Sequence, residues 1–174
     1  MTSIETRALA RAAALFALVV LVACQVPATD VTLPTPADVR SAYASGSAVA
    51  AEIRGNVAVI WVTQSDDQLR RGGTLWAKVG PYVFLFTEET HRLFETYPGL
   101  AGVRVVTRTG SGTEVANALL VRDELSGVLW RRSLNIAGQA RRDGSQRLTL
   151  LEDLVRWGED HTEFAYNERY TRRR

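Results

Sequence analysis

The residues best placed for chemistry form one short polar stretch near the carboxyl end of the chain. It contains Glu159, Asp160, His161 and Glu163. Carboxylates around an imidazole could hold a cation or support acid–base work, because imidazole changes its charge near neutral pH. Glu159 and Glu163 could also form the carboxylate pair that glycan hydrolysis needs. The same letters describe an ordinary polar loop after a helix, so the pattern leaves both interpretations open.

The second histidine, His91, is a weaker candidate for a functional site. His91 precedes Glu95 by four residues, a spacing that places both side chains on one face of a helix. One His–Glu pair is at best half of a metal site, because zinc needs at least three protein ligands. A solvated helical pair is the simpler interpretation, and we predict neither a metal nor a cofactor.

Motifs for nucleophilic catalysis and phosphate binding are missing from the sequence. No serine lies in a Gly-x-Ser-x-Gly elbow, where hydrolases of one large class place their nucleophile. Gly72-Gly73 and Gly110-Ser111-Gly112 lack the Gly-x-x-x-x-Gly-Lys spacing of a phosphate-binding loop. Both glycine-rich segments therefore indicate turns.

The single cysteine, Cys24, ends a segment with three distinct parts. Arg7 and Arg11 lie in the start, and an uncharged apolar run follows over residues 12–23. A basic start, a short apolar stretch and small residues at its end are typical of a secretory signal. The run is too short to span a bilayer, which needs about 20 apolar residues.

The last four residues of this segment, Leu21-Val22-Ala23-Cys24, resemble the lipobox of bacterial lipoproteins. The resemblance covers residues 1–24 only. It implies that residues 1–23 are a signal peptide, removed after the Cys24 sulfur receives a diacylglycerol, and that acyl chains such as palmitate then anchor the protein. Gln25 in place of aspartate implies the periplasmic side of the outer membrane, if the host has two membranes.

The rest of the chain has the size and charge of one ordinary domain. We divide it into a lipidated tether over 24–35, a single domain over 36–166 and a basic tail over 167–174. Beyond residue 24 the sequence has 19 basic and 18 acidic residues. A nucleic-acid-binding protein would show a clustered basic excess, so no nucleic-acid partner is expected.

Hydrophobic patterning predicts an α+β fold with about four or five strands and four helices. Thr35-Pro36 is a typical helix start, and Gly55 is a plausible end for that helix. Thr87 begins a second helix. The predicted strands cover 57–62, 75–79, 82–86, 103–107 and 115–121. Residues 82–107 would then form a strand–helix–strand unit.

The last third of the chain has mostly helical spacing. Residues 125–140 fit a helix, although 125–137 also suits a strand. Thr149 and Glu152 have the spacing of a capping box, and Gly158 could end that helix. The aromatic residues from Phe164 to Tyr170 indicate either a final strand packed on the core or an arm that binds a partner.

Taken together, these features favour a non-enzymatic binding or assembly module held at the membrane through Cys24. Its expected partner is an envelope protein or glycan. Two alternatives stay open: an envelope hydrolase with a dispersed carboxylate site, and a carrier of a small apolar ligand. A cleft with converging acids would favour the hydrolase, and an enclosed apolar cavity would favour the carrier.

Overall fold

The computed structural model describes residues 31–43 and 49–172. The predicted signal peptide and Cys24 lie outside these residues. Five strands and six helices occur in the described part. In chain order they are α1 (Pro36–Ala42), β1 (Val49–Arg54), β2 (Val57–Thr63), α2 (Asp66–Leu85), α3 (Glu88–Thr96), β3 (Gly102–Arg108), β4 (Glu114–Val121), α4 (Gly127–Asp143), α5 (Leu148–His161), β5 (Glu163–Tyr166) and α6 (Glu168–Thr171).

The five strands form one mixed sheet in the order β1-β2-β3-β4-β5. Strands β2 and β3 are parallel, whereas the other neighbours are antiparallel. Strands β2, β3 and β5 therefore run in the same direction, and their carboxyl ends meet at one edge of the sheet. In register, Thr63 lies opposite Arg108, and Ala116 pairs with both Thr107 and Tyr166.

One hydrophobic core lies between a face of this sheet and the helices. Alternate residues of the strands point to this face, as the two-residue period of a strand requires. Helix α2 contributes Val79, Tyr82 and Leu85, and Phe86 follows its last residue; all four are fully buried. The sheet residues in the core are Ala58, Ile60, Val62, Val103, Val105, Ala118 and Leu120.

The α+β class and the single small domain are confirmed, but the predicted strand–helix–strand unit over 82–107 is wrong. Segments 75–79 and 82–86 both belong to helix α2. The real crossover joins β2 to β3 through α2 and α3. Gly80-Pro81 looks like a turn in the sequence, yet it lies inside the helix, where packing of the apolar face on the sheet outweighs a local break signal.

Three helix boundaries also differ from the prediction. Helix α1 begins at the predicted Thr35 cap, which forms a capping box with Asp38, but it ends at Ala42, and residues 49–54 form strand β1. Thr149 is inside α5, which begins at Leu148 without a side-chain cap. Gly158 is also inside α5. Residues 127–143 are helical, which removes the strand alternative there.

Two arginines close the carboxyl ends of helices. The Arg122 guanidinium donates to the backbone carbonyls of Phe94, Tyr97 and Leu100, at the end of α3. Arg141 donates to the carbonyls of Val83 and Phe86 at the end of α2. The last carbonyls of a helix lack partners within it and attract positive charge. Both arginines therefore stabilise the fold through helix termini.

The first described residues contact the loop before β3, at the edge of the sheet where β2 and β3 begin. The Gly99 amide donates to the Thr32 carbonyl at 3.0 Å. A Cβ atom at Gly99 would lie 2.2 Å from the Val31 carbonyl oxygen, so only glycine permits this approach. Within the described ranges, no helix has the length and apolar character needed to cross a bilayer.

Candidate binding cleft

The four polar residues singled out in the sequence have different surroundings in the structure. Helix α5 carries three of them in succession, and consecutive helix positions point about 100° apart. Glu159 faces Lys78 of α2, with Nζ and Oε1 3.4 Å apart. Asp160 lines a groove between α4 and α5. Glu163 is exposed on β5.

His161 packs against an aromatic ring. Its ring centroid is 4.2 Å from that of Trp157, and its Nδ1 lies 3.6 Å from a carboxylate oxygen of Glu124. The Trp157 indole N–H donates to the Ser133 hydroxyl at 2.8 Å. His161 therefore packs on an anchored tryptophan and pairs with an acid outside the predicted stretch.

The predicted His91–Glu95 pair forms on α3. His91 Nε2 lies 3.8 Å from Glu95 Oε1, and the imidazole packs against Trp130 of α4 at a centroid distance of 4.7 Å. In the described part of the chain, no three His, Cys, Asp or Glu side chains are grouped so that they could hold a metal ion.

Glu159 belongs to a polar seam between α2 and the carboxyl end of β5. The Tyr82 and Tyr166 hydroxyls are 2.6 Å apart, and Lys78 Nζ lies 4.8 Å from the centre of the Tyr166 ring. Burial raises the pKa of Tyr82 to about 12. Burial, together with the hydrogen bond to Tyr82, also raises the pKa of Tyr166. Both phenols are neutral near pH 7 and act as hydrogen-bonding groups.

The polar seam continues along one face of α2 to a cleft at the sheet edge. Thr74, Lys78 and Tyr82 are four residues apart and so share this face. Thr74 lines a cleft of about 660 Å³, which we call the distal cleft. Its lining residues are Asp66, Leu69, Arg70, Gly73, Thr74, Thr109, Ser111, Arg169, Tyr170 and Arg172.

Sheet topology explains why such distant segments converge. The first residues of α2 follow β2, Thr109 and Ser111 follow β3, and α6 follows β5. These are the carboxyl ends of the three strands that share one direction. In open α/β sheets, ligands bind in the crevice outside the carboxyl ends of the strands. The distal cleft occupies the corresponding place in this mixed sheet.

Backbone geometry gives the distal cleft its shape. Gly73 interrupts α2 with φ 61° and ψ −156°, a conformation essentially restricted to glycine. On the opposite side, the Thr109 hydroxyl contacts the Ser111 hydroxyl at 2.8 Å and accepts from the Thr113 amide. Gly112, with φ 87°, completes that turn. The predicted Gly72-Gly73 turn is instead a break inside α2 at Gly73, whereas the predicted turn at Gly110-Ser111-Gly112 forms. Gly73 and Ser111 both line the cleft.

The polar lining is mostly donors of hydrogen bonds. Three arginines face a single lining carboxylate, that of Asp66. Arg70 is paired with Asp67, and Arg172 lies 2.8 Å from Glu168. Both pairs are exposed. Such exposed pairs contribute only about 0–1 kcal/mol, so a ligand can replace the carboxylates at little cost.

Arg169 completes the set of charges in the distal cleft. Its guanidinium carbon lies 5.8 Å from the centre of the Tyr170 ring. Among the described residues it has no carboxylate within ion-pair distance. Sequence reasoning did not identify this site, because its residues come from three separate segments. Comparison with known proteins adds nothing to the geometry: no family, no curated protein and no solved structure matches the chain.

Proposed function

We propose that the protein is a lipid-anchored module of the bacterial cell envelope that binds a ligand or partner through the distal cleft. The lipobox resemblance supports the anchor, and the position of the cleft supports binding. The observation that carries the proposal is geometric: the chain enters at one edge of the sheet, and the cleft lies at the opposite edge.

The separation between the two follows from the strands. Val31 and Thr32 contact Gly99, just before β3 begins, whereas Thr109 and Ser111 follow its end. Strand β3 has 7 residues, which span about 23 Å at about 3.3 Å per residue. The distal cleft therefore lies at the edge of the sheet opposite to the one that Val31 and Thr32 contact.

The positions of the acids suggested for catalysis favour binding over the hydrolase alternative. The suggested carboxylate pair is divided between two elements: Glu159 contacts Lys78 in the polar seam, and Glu163 is exposed on β5. The nearby Tyr82 and Tyr166 phenols are neutral and hydrogen-bonded to each other. These groups hold β5 against α2 and so keep α6 at the cleft wall.

The anchor is tested by substituting the cysteine. Cys24→Ala should abolish labelling of the protein with palmitate in cells and leave an uncut precursor. A Gln25→Ala variant keeps the cysteine and serves as the matched control, since it should still be labelled. Palmitate labelling that persists in Cys24→Ala would refute lipid attachment at this residue.

Binding is tested by photo-crosslinking in cells. A photoreactive residue replaces Ser111 at the exposed rim of the distal cleft, and in a control it replaces Glu152, which is exposed on α5 outside the cleft. We expect a discrete crosslinked product at position 111 and none at position 152. Equal products at both positions, or none at either, would contradict the proposed binding role of the cleft in the cell.

A further inference from the structure

We propose that the distal cleft binds an anionic saccharide: a hydroxyl-rich ligand that carries a phosphate or carboxylate group. This inference rests on the proposed function and names the ligand class for the same site. It follows from the chemistry of the lining groups and from the size of the cleft.

The charges of the lining favour an anion. Arg70, Arg169 and Arg172 provide three guanidinium groups against one lining carboxylate, that of Asp66. Guanidinium forms bidentate hydrogen bonds with carboxylate and phosphate oxygens. Arg169 is the best placed of the three, since no carboxylate of the described residues pairs with it. An oxyanion bound here would complete its hydrogen bonding.

The remaining polar groups of the lining match a larger ligand than an isolated ion. Thr74, Thr109, Ser111 and Tyr170 bring hydroxyl groups to the same lining. Hydroxyls both donate and accept hydrogen bonds, so they match the hydroxyls of a sugar. Asp66 adds an acceptor for further ligand hydroxyls. This mixture of donors and acceptors fits a sugar ring that carries the anionic group.

Size supports the same conclusion. The cleft encloses about 660 Å³, within the range of about 300–1,000 Å³ that is usual for small-molecule sites. A bare phosphate or sulfate would leave most of this space to water. A sugar of one or two rings, with its anionic group on the arginines, would fill much more of the cleft and contact both walls.

The test is calorimetric titration of the full-length protein with four probes: glucose 1-phosphate, glucuronate, glucose and inorganic phosphate. We expect at least one of the two anionic sugars to bind about tenfold or more tightly than glucose and inorganic phosphate, and its affinity to fall as salt is added. Which anionic sugar binds better identifies the oxyanion. Glucose binding as tightly as the better anionic sugar, or no binding of either anionic sugar, would overturn the inference.

Arginine variants locate the binding. Arg169→Gln should weaken binding of the better anionic sugar by about tenfold or more, because the neutral amide loses the charge-assisted hydrogen bonds to the oxyanion. Arg131→Gln is the matched control, since Arg131 is exposed on α4 and lines the other groove. Thermal melting should show that both variants are folded. An equal loss in both variants would overturn the assignment to the distal cleft.

The two proposals can fail separately. A crosslink at position 111, combined with failure of both anionic sugars to bind, would overturn the ligand class and leave the binding module intact. Binding of an anionic sugar without any crosslink in cells would overturn the cellular role alone.

Discussion

Gly158→Ala should lower the stability of the protein, although alanine favours a helix more than glycine does. Gly158 lies inside α5 with its Cα against the Tyr82 ring, and a Cβ atom there would meet three ring carbons at 2.3, 2.4 and 2.6 Å. Tyr82 is fully buried, stacks on Phe86 and bonds to Tyr166 through its hydroxyl. The ring is held on several sides and cannot easily move away.

The magnitudes decide the sign of the effect. Replacing glycine by alanine within a helix gains about 0.5–1 kcal/mol. Overpacking a well-packed core costs about 1–3 kcal/mol, and contacts this short place Gly158→Ala near the upper end. The net loss should be about 2 kcal/mol. For a domain of this size, that corresponds to a fall of about 4–8 °C in the melting temperature.

A second helical glycine provides the matched control. A Cβ atom at Gly138 of α4 would meet only the flexible end of Arg142, at 3.6 Å. Gly138→Ala should therefore raise the free energy of unfolding by about 0.5–1 kcal/mol. Both variants are measured by urea and thermal unfolding of the full-length protein. Equal or greater stability of Gly158→Ala would refute the close packing of α5 on Tyr82.

Three further predictions concern stability. Because the Tyr82 pKa rises from 10.0 in the unfolded chain to about 12 in the fold, the folded state retains a proton that the unfolded state releases. This contribution to stability is fully present below pH 10, and Tyr82 alone should remove about 1.4 kcal/mol per pH unit from pH 10 to 12. Urea unfolding should show a shallower fall for Tyr82→Phe, and an identical fall would count against this cause. Arg122→Lys should cost about 1–3 kcal/mol in urea unfolding, because an ammonium cannot reproduce the planar fork that serves three carbonyls; unchanged stability would mean that α3 needs no such cap. Gly73→Ala should cost about 1–3 kcal/mol at its positive φ, whereas Gly110→Ala, with an ordinary φ and nothing within 4 Å, should be nearly neutral; equal effects in thermal melting would argue against the break in α2.

The sequence predicts those helices and strands whose conformation is specified by their own residues. Strands β2, β3 and β4 are mostly apolar runs, β2 and β3 are rich in β-branched residues, and glycines bound several of their ends. Helix α3 follows from the Thr87 cap and the two acids after it. Helix α2 could not be predicted in this way, because Gly72-Gly73 and Gly80-Pro81 divide its pattern into short apolar pieces. Its packing on the sheet decides its conformation.

The distal cleft could not be predicted from local sequence patterns for a similar reason. Its walls come from residues 66–74, 109–111 and 169–172, which converge only when β2, β3 and β5 run in one direction. The sequence indicates the turns at Gly73 and Ser111 but not their proximity. The polar stretch at 159–163 stands out in the sequence for the opposite reason: its residues are adjacent along the chain, yet helical rotation separates their side chains in space.

The most direct test of the membrane-anchored account is mass spectrometry of the amino-terminal peptide of the protein from its native cells. The account predicts a peptide that begins at Cys24 and carries the mass of a diacylglycerol on its sulfur. A peptide that begins at Met1 and contains an unmodified Cys24 thiol would contradict it.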